Sequence, residues 1–279
     1  MTPPWQDPRG VLRRHDLTPK RRMSQSFLVS QRTVERIASA AAPTPGGWIV
    51  ELGPGVGTLT TALLDRGARV VAVERDEDMI RVLEAELGVH PDLVVLSGDA
   101  ATVDIAALAR ERGGSPITVA GNLPYSATGA ILRNLVAHRR DISCAVVMVQ
   151  REVRDRLLSP PGTKAYGALT VFATAAFDVQ PVLSVPARAF HPQPRVASAV
   201  VKLVPHAAPR AEETVGFRTV VRAAFEARRK TLRNALCICT GAAPERVEAA
   251  LREAGIDGTR RGETLSVEEF AALGRAFGE

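Results

Sequence analysis

The residues Asn122-Leu123-Pro124-Tyr125 have the types and the spacing to act on a nucleobase amine. An exocyclic purine amine becomes a useful nucleophile when acceptors take both of its N–H groups and its lone pair is aimed. The side-chain oxygen of Asn122 and a nearby main-chain carbonyl can do this, and Tyr125 offers a flat face for the base. Asn and Pro are also ordinary turn formers, so the pattern alone leaves both interpretations open.

The elements around this stretch favour the chemical interpretation. The apolar run 117–120 predicts a buried strand, and the stretch begins where that strand opens into a loop. Ligands of an open α/β sheet bind outside the carboxyl ends of its strands. A reactive site is therefore expected at this edge.

A glycine turn follows the buried strand predicted at 48–52. Its pattern, G-x-G-x-G at residues 53–57, lets the backbone approach a ligand closely, and a predicted helix starts directly after it. A dinucleotide-binding turn has the spacing G-x-G-x-x-G, and Thr58 stands where the third glycine would be. The spacing disfavours a nicotinamide cofactor and leaves room for a bulkier adenosyl group.

The next two predicted strands each end in an acid. Glu74 closes the strand predicted at 70–74, about twenty residues beyond the glycines, where a carboxylate can reach ribose hydroxyls. Asp99 lies at the end of the strand predicted at 94–100. Three consecutive strands thus end in glycine or an acid at one rim, a regularity that a single solvated acid does not explain.

Composition and charge indicate a globular cytoplasmic protein that meets a polyanion. No apolar run among the 279 residues approaches membrane-spanning length. Lys and Arg outnumber Asp and Glu by 6 to 2 in residues 1–30 and by 10 to 4 in residues 131–205, whereas the acids lead by 10 to 6 in residues 31–97. The acidic part suits a cofactor site, and its basic flanks suit a polyanionic substrate.

The three cysteines predict neither disulfides nor a metal site. Their number is odd and no secretory signal accompanies them, so reduced thiols are expected. Cys237-x-Cys239 has no second cysteine pair and no neighbouring histidine to complete a set of metal ligands.

The chain is predicted to form two domains. Residues 1–205 carry the strands, with a basic, Pro-rich N-terminal arm at 1–24, and residues 206–279 show only helical periodicity. One long helix is predicted at 216–236. Four arginines would lie within about 60° of one another on it and could hold phosphates, although a solvated face is the commoner meaning of such a stripe; they are Arg218, Arg222, Arg229 and Arg233.

A second aromatic residue is predicted to face the same rim. Phe190 begins a segment with prolines at alternate positions, which stiffen it as a loop. Tyr125 and Phe190 could sandwich a flipped base between their rings. A core position for Phe190 remains the alternative.

Taken together, these residues resemble those of a known family, the KsgA/RsmA ribosomal RNA adenine dimethyltransferases. The resemblance covers most of the chain. The matching stretches are Gln25 to Leu28, Glu51 to Gly57, Glu74, Asp99, Asn122 to Tyr125, Lys164 to Gly167, Phe190 to Ser198 and Phe225 to Asn234.

The resemblance implies a Rossmann-like, seven-stranded α/β methyltransferase domain followed by a small all-helical domain. It implies S-adenosylmethionine as methyl donor, contacted at Ser26, Leu28, Gly53, Glu74, Asp99 and Asn122, with Gly55 in the same turn. The family usually has Asn at the position of Ser26, so a shorter or water-mediated contact is expected there.

The implied substrate is a pair of adjacent adenosines near the 3′ end of small-subunit ribosomal RNA, within a pre-ribosomal particle. Asn122 to Tyr125 are then the catalytic stretch, and Tyr125, Phe190, Arg229 and Lys230 contact the RNA. A monomeric enzyme without a metal is expected. Two alternatives remain: a large-subunit methyltransferase of the antibiotic-resistance type, and an assembly factor whose binding matters more than its catalysis.

Overall fold

The structure is a computed structural model that describes residues 5–42, 45–114 and 116–278. Nine strands lie in these ranges: β1 Phe27–Leu28, β2 Trp48–Leu52, β3 Arg69–Glu74, β4 Leu93–Ser97, β5 Ile117–Asn122, β6 Ile142–Gln150, β7 Phe177–Val185, β8 Phe190–His191 and β9 Ser198–Pro205. The described helices are α1 Pro8–Arg14, α2 Gln31–Ala41, α3 Thr58–Leu64, α4 Glu77–Leu87, α5 Ile105–Glu111, α6 Thr128–Ala137, α7 Arg151–Leu157, α8 Ala168–Ala176, α9 Val215–Glu226, α10 Leu232–Thr240, α11 Pro244–Glu253 and α12 Val267–Phe277.

Seven strands form one mostly parallel sheet in the order β4-β3-β2-β5-β6-β9-β7. The neighbours from β4 to β6 pair in parallel, and β9 runs antiparallel to β6. The strand order reverses direction between β2 and β5, so the carboxyl ends of these two strands flank the crevice where ligands of such sheets bind. The predicted Rossmann-like methyltransferase fold is confirmed.

The sheet strands are apolar on both faces because helices cover both faces. Val50, Val70 and Val119 are essentially inaccessible to solvent, as expected for a buried parallel sheet. Helix α2 buries Val34 and Ile37 on its apolar stripe, as the sequence predicts. The rim of the sheet is thus held rigidly.

The chain separates into two compact units, and the boundary differs from the predicted one. The first unit contains residues 1–154 and 180–205, and the second contains 155–179 and 206–279. Residues 155–179 therefore pack with the C-terminal helices, although the sequence places them in the first domain. The reason is apolar packing, because Tyr166, Phe172 and Phe217 share one buried cluster of the second unit.

The N-terminal arm is folded where the structure describes it. Asp7 caps α1, and Val11 and Leu12 are buried against Met79 and Val82 of α4. Arg14 and His15 also contact Glu86 on α4. Prolines and charges predict an extended arm, but two buried apolar side chains and an ion pair hold this segment on the first unit.

The single helix predicted at 216–236 is wrong. Helix α9 ends at Glu226, and α10 starts at Leu232 with Thr231 as its N-cap. The first N–H groups of α10 are also taken by carbonyls of Arg260 and Gly258. Because the chain breaks between the two helices, the four arginines do not form one helical stripe.

Candidate functional site

A cleft opens at the carboxyl rim of the sheet in the first unit, with an empty space of about 1050 Å³ including its mouth. Its walls come from the ends of β2 to β5, from the glycine turn and from residues 23–28 of the N-terminal segment. Ligand sites of this size are concave and largely apolar with a few polar groups. The predicted cofactor residues Ser26, Leu28, Gly53, Gly55, Glu74, Asp99 and Asn122 all line it, and so does the stretch Asn122 to Tyr125.

The functional groups stand in a row that the chain order does not show. Because the strand order is β4-β3-β2-β5, the rim presents Asp99, Glu74, Gly53 and Asn122 in that spatial sequence. Gly53 follows β2 directly and Asp99 is the second residue after β4, whereas Glu74 and Asn122 are the last residues of their strands. The row runs from two acids, past a glycine turn, to an amide.

The glycine turn keeps the cleft open by having no side chains. Gly53 and Gly55 adopt left-handed φ angles of +71° and +57°, which favour glycine. A Cβ on Gly55 would lie 2.8 Å from the ring of Phe27. The turn therefore fits closely under the N-terminal segment, and any larger residue would displace the two.

Glu74 is fixed by main-chain donors. Its side chain accepts hydrogen bonds from the N–H groups of Gly55 (3.1 Å), Arg75 and Asp76 (2.9 Å each). Burial raises the pKa of Glu74, and the three main-chain hydrogen bonds oppose that effect. Its carboxyl group is held in one orientation at the cleft, as a ribose-binding acid must be.

Asp99 is more open to solvent. One carboxylate oxygen accepts the N–H of Ala101 at 2.8 Å, and the other lies 3.4 Å from a guanidinium nitrogen of Arg75. Its side chain is 43% exposed. This carboxylate is therefore fixed at one end and accessible at the other.

Glu51 is a cleft residue without a predicted role of its own. It is 1% exposed in β2, and Thr60 donates a hydrogen bond to it at 2.6 Å. Burial raises the pKa of its carboxyl to about 8 against this hydrogen bond, and the charge of Glu74 adds to the rise. A charged residue type within a continuous apolar strand is the sequence signal that could have identified it.

The amide of Asn122 is oriented by the N-terminal segment. Its Nδ2 donates to the carbonyl oxygen of Ser26 at 3.0 Å. Because the amide nitrogen points at Ser26, the Oδ1 acceptor points the other way. The nearby carbonyl of Pro124 already accepts from the N–H of Ala127 and the hydroxyl of Thr128, so the carbonyl of Leu123, directly after Asn122, is the better candidate for a second acceptor.

Tyr125 is held by its hydroxyl group. Its hydroxyl forms a 2.6 Å hydrogen bond with Ser198, a residue with no exposed surface at the start of β9. Burial raises the pKa of the Tyr125 phenol, and the bond with Ser198 opposes the rise. The ring is half-buried and lines the cleft. Ser198 belongs to one of the matching motifs, but the motif alone did not predict this positioning contact.

Ser26 and Leu28 contribute to the cleft in different ways. The hydroxyl of Ser26 donates to the carbonyl of Pro192 at 2.6 Å, so the side chain is bound within the protein while the main chain serves Asn122. Leu28 is buried and pairs with Phe190 across β1 and β8. Both lie on the wall of the cleft.

The prediction that Phe190 lies in a loop with a free ring is wrong. Phe190 is the first residue of β8 and is 4% exposed, packed in the core with Val185 and Ala189. Antiparallel pairing with β1, more than 160 residues earlier, draws it inward, and such long-range pairing leaves no local signature. Phe190 does not line the cleft, whereas Tyr125 does.

Arg229 and Lys230 belong to the second unit. They are exposed in the turn between α9 and α10. The preceding Arg228 differs: it binds Glu263 at 2.6 Å and donates to the carbonyl of Lys164 at 2.8 Å. One cation of the run therefore holds the unit together, and the next two face solvent.

The cleft fits the cofactor that the resemblance implies. The carboxyl groups of Glu74 and Asp99 line it together with a glycine turn. An acidic lining suits a cation such as a sulfonium compound with an ammonium group, and it opposes a ligand rich in phosphates. Over residues 5–42, 45–114 and 116–278, no three His, Cys, Asp or Glu side chains gather where they could hold a metal ion, and no described helix is long and apolar enough to cross a membrane.

Known proteins resemble the chain along its whole length. A family model described as "Ribosomal RNA adenine dimethylase" matches residues 17–276. The "Ribosomal RNA small subunit methyltransferase A" of Anaeromyxobacter sp. (strain K) is 45% identical, with 100% of both chains covered. The protein of the same name from Myxococcus xanthus (strain DK1622) is also 45% identical, over 98% of this chain and 96% of its own.

Solved structures agree on the fold. A dimethyladenosine transferase from Plasmodium falciparum superposes with a TM-score of 0.74 at 24% identity, covering 88% of this chain and 95% of its own. The 23S rRNA methyltransferase ErmE superposes with a TM-score of 0.63 at 28% identity, covering 91% and 100%. With the family model matched over nearly all of its residues, the chain belongs to the ribosomal RNA adenine dimethylase family.

Proposed function

We propose that this protein transfers methyl groups from S-adenosylmethionine to the exocyclic N6 of two adjacent adenosines near the 3′ end of small-subunit ribosomal RNA. The products are N6,N6-dimethyladenosines, and the reaction belongs to small-subunit biogenesis. The orientation of the Asn122 amide carries the proposal: its nitrogen is bound by Ser26, which leaves its oxygen to accept a hydrogen from an amine at the cleft.

The side chains divide the work as follows. When bound, S-adenosylmethionine supplies a methyl group that is already activated. Asn122 Oδ1 and the Leu123 carbonyl accept the two hydrogens of the adenine amine and aim its lone pair. Tyr125, pinned by Ser198, stacks on the base. The amine proton leaves after transfer, so the chain needs no strong base.

Glu74 and Asp99 hold the cofactor in this proposal. The fixed Glu74 carboxylate accepts the ribose hydroxyls, and Asp99 accepts from the amino edge of the adenine. Gly53 and Gly55 allow the backbone to lie against the ligand, while Ser26 and Leu28 close the cleft from the N-terminal side. This assigns one end of the row to cofactor binding and the other to the acceptor base.

We also propose that the second unit binds the RNA through Arg229 and Lys230. Both are exposed in a turn that Arg228 stabilises. Reversing both charges should weaken RNA binding for any sequence. The slope of log K against log salt should become shallower by about one for each phosphate that is no longer neutralised. Arg252→Glu, at an exposed position of α11 in the same unit, is the matched control.

The small-subunit substrate is favoured over the large-subunit alternative by sequence identity. Relatives named for the small subunit are 45% identical over the full length, against 28% for the 23S rRNA methyltransferase. The intact arrangement at Asn122 favours an enzyme over a factor that only binds. We further propose that the enzyme acts as a monomer in the cytoplasm on a pre-ribosomal particle; light scattering and fractionation of assembling subunits test this.

The deciding experiment offers labelled S-adenosylmethionine with undermethylated small subunits, and with large subunits in parallel. Label should enter only the small subunit and appear as N6,N6-dimethyladenosine by mass. Asn122→Ala should abolish transfer and leave the Kd for S-adenosylmethionine within about twofold, because the amide serves the acceptor base. Equal loss of binding and transfer would contradict this division of roles, and label in the large subunit would overturn the substrate.

A further inference from the structure

A segment outside the sheet forms one wall of the cofactor cleft. Residues 23–28 line the cleft, yet only Phe27 and Leu28 belong to a strand, and that strand is two residues long. Just before them, the backbone turns through a left-handed Ser24 with φ of +53°. Something other than regular pairing must therefore hold this segment in place.

Asp76 supplies that hold from behind the wall. Its side chain is 3% exposed and accepts hydrogen bonds from Lys20 Nζ and from Gln25 Nε2, the latter at 2.6 Å. The main-chain N–H of Lys20 donates in turn to Gln25 Oε1 at 2.8 Å. Asp76 also caps α4 by accepting from the N–H of Asp78 at 3.1 Å. One buried carboxylate thus joins the segment to the helix that follows β3.

The segment in turn contacts the acceptor loop. The Ser26 carbonyl accepts from Asn122 Nδ2 at 3.0 Å, and the Ser24 hydroxyl donates to Ser126 Oγ at 3.2 Å. Asp76 itself does not line the cleft. Any influence it has on the cofactor or on Asn122 must pass through residues 20–28.

We propose that Asp76 is a positioning residue of this enzyme: by binding Lys20 and Gln25 it fixes residues 20–28 as the wall of the cofactor cleft and so sets the orientation of the Asn122 amide. Charge-assisted hydrogen bonds to a buried carboxylate are among the stronger contacts in proteins. Residues 26–28 are also held by pairing with β8 and by the bond from Ser26 to Pro192, so the bonds to Asp76 act mainly on residues 20–25.

Asp76→Asn separates this role from helix capping, because Asn caps helices as well as Asp does. The variant should bind S-adenosylmethionine about tenfold more weakly, equivalent to ~1.4 kcal/mol. Its cofactor-free form should exchange the amide hydrogens of residues 20–28 faster, with those of α4 unchanged. Asp104→Asn is the matched control, since Asp104 caps α5 through the N–H of Ala107 and does not touch the segment.

Lys20→Met tests the same contact from the other side and leaves the helix cap of Asp76 in place, although it also removes the ion pair of Lys20 with Asp78. Both variants should weaken binding, and the double variant should lose less than the sum of the two single losses, because both changes remove the Lys20–Asp76 contact. Unchanged affinity and exchange in Asp76→Asn and Lys20→Met, additive losses in the double variant, or an equal loss in Asp104→Asn would each overturn the proposal.

This inference rests on the proposed place of the cofactor, and the two can fail separately. Glu74→Gln and Asp99→Ala should weaken S-adenosylmethionine binding if the cofactor lies in the cleft. If they do not, the site assignment fails, while the exchange of the cofactor-free protein still reports whether Asp76 holds the segment. If they do and Asp76→Asn binds normally, only the role of Asp76 is refuted.

Discussion

Replacing Glu51 by Gln tests the electrostatics at the floor of the cleft. Burial raises the pKa of this carboxyl to about 8 from an ordinary value of 4.5, against the hydrogen bond from Thr60. Gln has nearly the same shape, keeps an acceptor for Thr60 and does not ionise. The substitution therefore removes the titration and leaves the packing almost unchanged.

The folded protein binds the Glu51 proton more tightly than the unfolded chain does, and this sets the direction of the pH effect on stability. The folded protein keeps the Glu51 proton up to about pH 8, whereas the unfolded chain loses it near 4.5. The contribution of Glu51 to the free energy of unfolding is fully present below pH 4.5 and is lost as the pH rises toward 8. At ~1.4 kcal/mol for each pH unit, the loss amounts to ~5 kcal/mol as an upper limit.

A buried amide that leaves one hydrogen unpaired costs about 1–3 kcal/mol at every pH. Glu51→Gln should thus be about 1–3 kcal/mol less stable than the wild type at pH 4.5 and ~2–4 kcal/mol more stable at pH 8. At about 2–4 °C for each kcal/mol, the gain at pH 8 raises the thermal midpoint by roughly 4–16 °C.

Thermal unfolding of the cofactor-free protein across pH 4.5–8.5 measures the difference directly. The change of the stability difference with pH identifies the titration of Glu51, whereas a difference measured at a single pH does not. A gain in Glu51→Gln that is the same at every pH would refute the reasoning, since it would come from packing. A variant less stable than the wild type at pH 8 would show that Glu51 is ionised and satisfied in the folded protein.

Three further predictions concern the rim and the arm. Tyr125→Phe and Ser198→Ala should each lower the rate of methyl transfer severalfold in single-turnover assays, because each frees the ring of Tyr125 without removing it. Tyr125→Ala removes the ring and should lower the rate more than 100-fold. Equal effects of Tyr125→Phe and Tyr125→Ala would contradict stacking of the ring on the base. Gly55→Ala should weaken cofactor binding at least tenfold by calorimetry, whereas Gly241→Ala, with a similar φ and nothing within 4 Å, should not. Burial raises the pKa of Glu86, but hydrogen bonds from the N-terminal arm outweigh this effect and hold the pKa low. The protection of the α1 amides, relative to their intrinsic exchange rates, should therefore fall as the pH falls, and Glu86→Gln should abolish that dependence.

Local patterns in the sequence predicted the sheet and its rim because each element carries its own signal. Apolar runs marked the strands, and the glycine turn marked the end of β2. Glu74 closes its strand as expected, whereas Asn122, predicted in the loop after a strand at 117–120, is the last residue of β5. None of these inferences needs a partner distant in the chain.

The predictions failed where contacts between residues far apart in the chain determine the local structure. Phe190 is buried because it pairs with Leu28, more than 160 residues earlier in the chain. The contacts of Lys20 and Gln25 with Asp76 also span about 50 residues, and no local pattern indicates them. The helix predicted through 227–231 breaks because the side chain of Thr231 and two distant carbonyls take the first N–H groups of α10. Periodicity continues through that break, so it gives no warning.

The strand order also determines which way the cofactor lies, which the order of motifs along the chain does not. Chain order reads Gly53, Glu74, Asp99, Asn122, whereas the rim reads Asp99, Glu74, Gly53, Asn122. If the adenine lies at Asp99 and the ribose at Glu74, as we propose, the transferable methyl lies beyond the glycine turn, on the side of β5. Three interstrand spacings, about 14 Å, separate the strands of Asp99 and Asn122, enough for an extended adenosyl group followed by an acceptor base. A cofactor complex with the adenine over β5 would reverse the roles of both ends, and the amide of Asn122 could then no longer meet the acceptor.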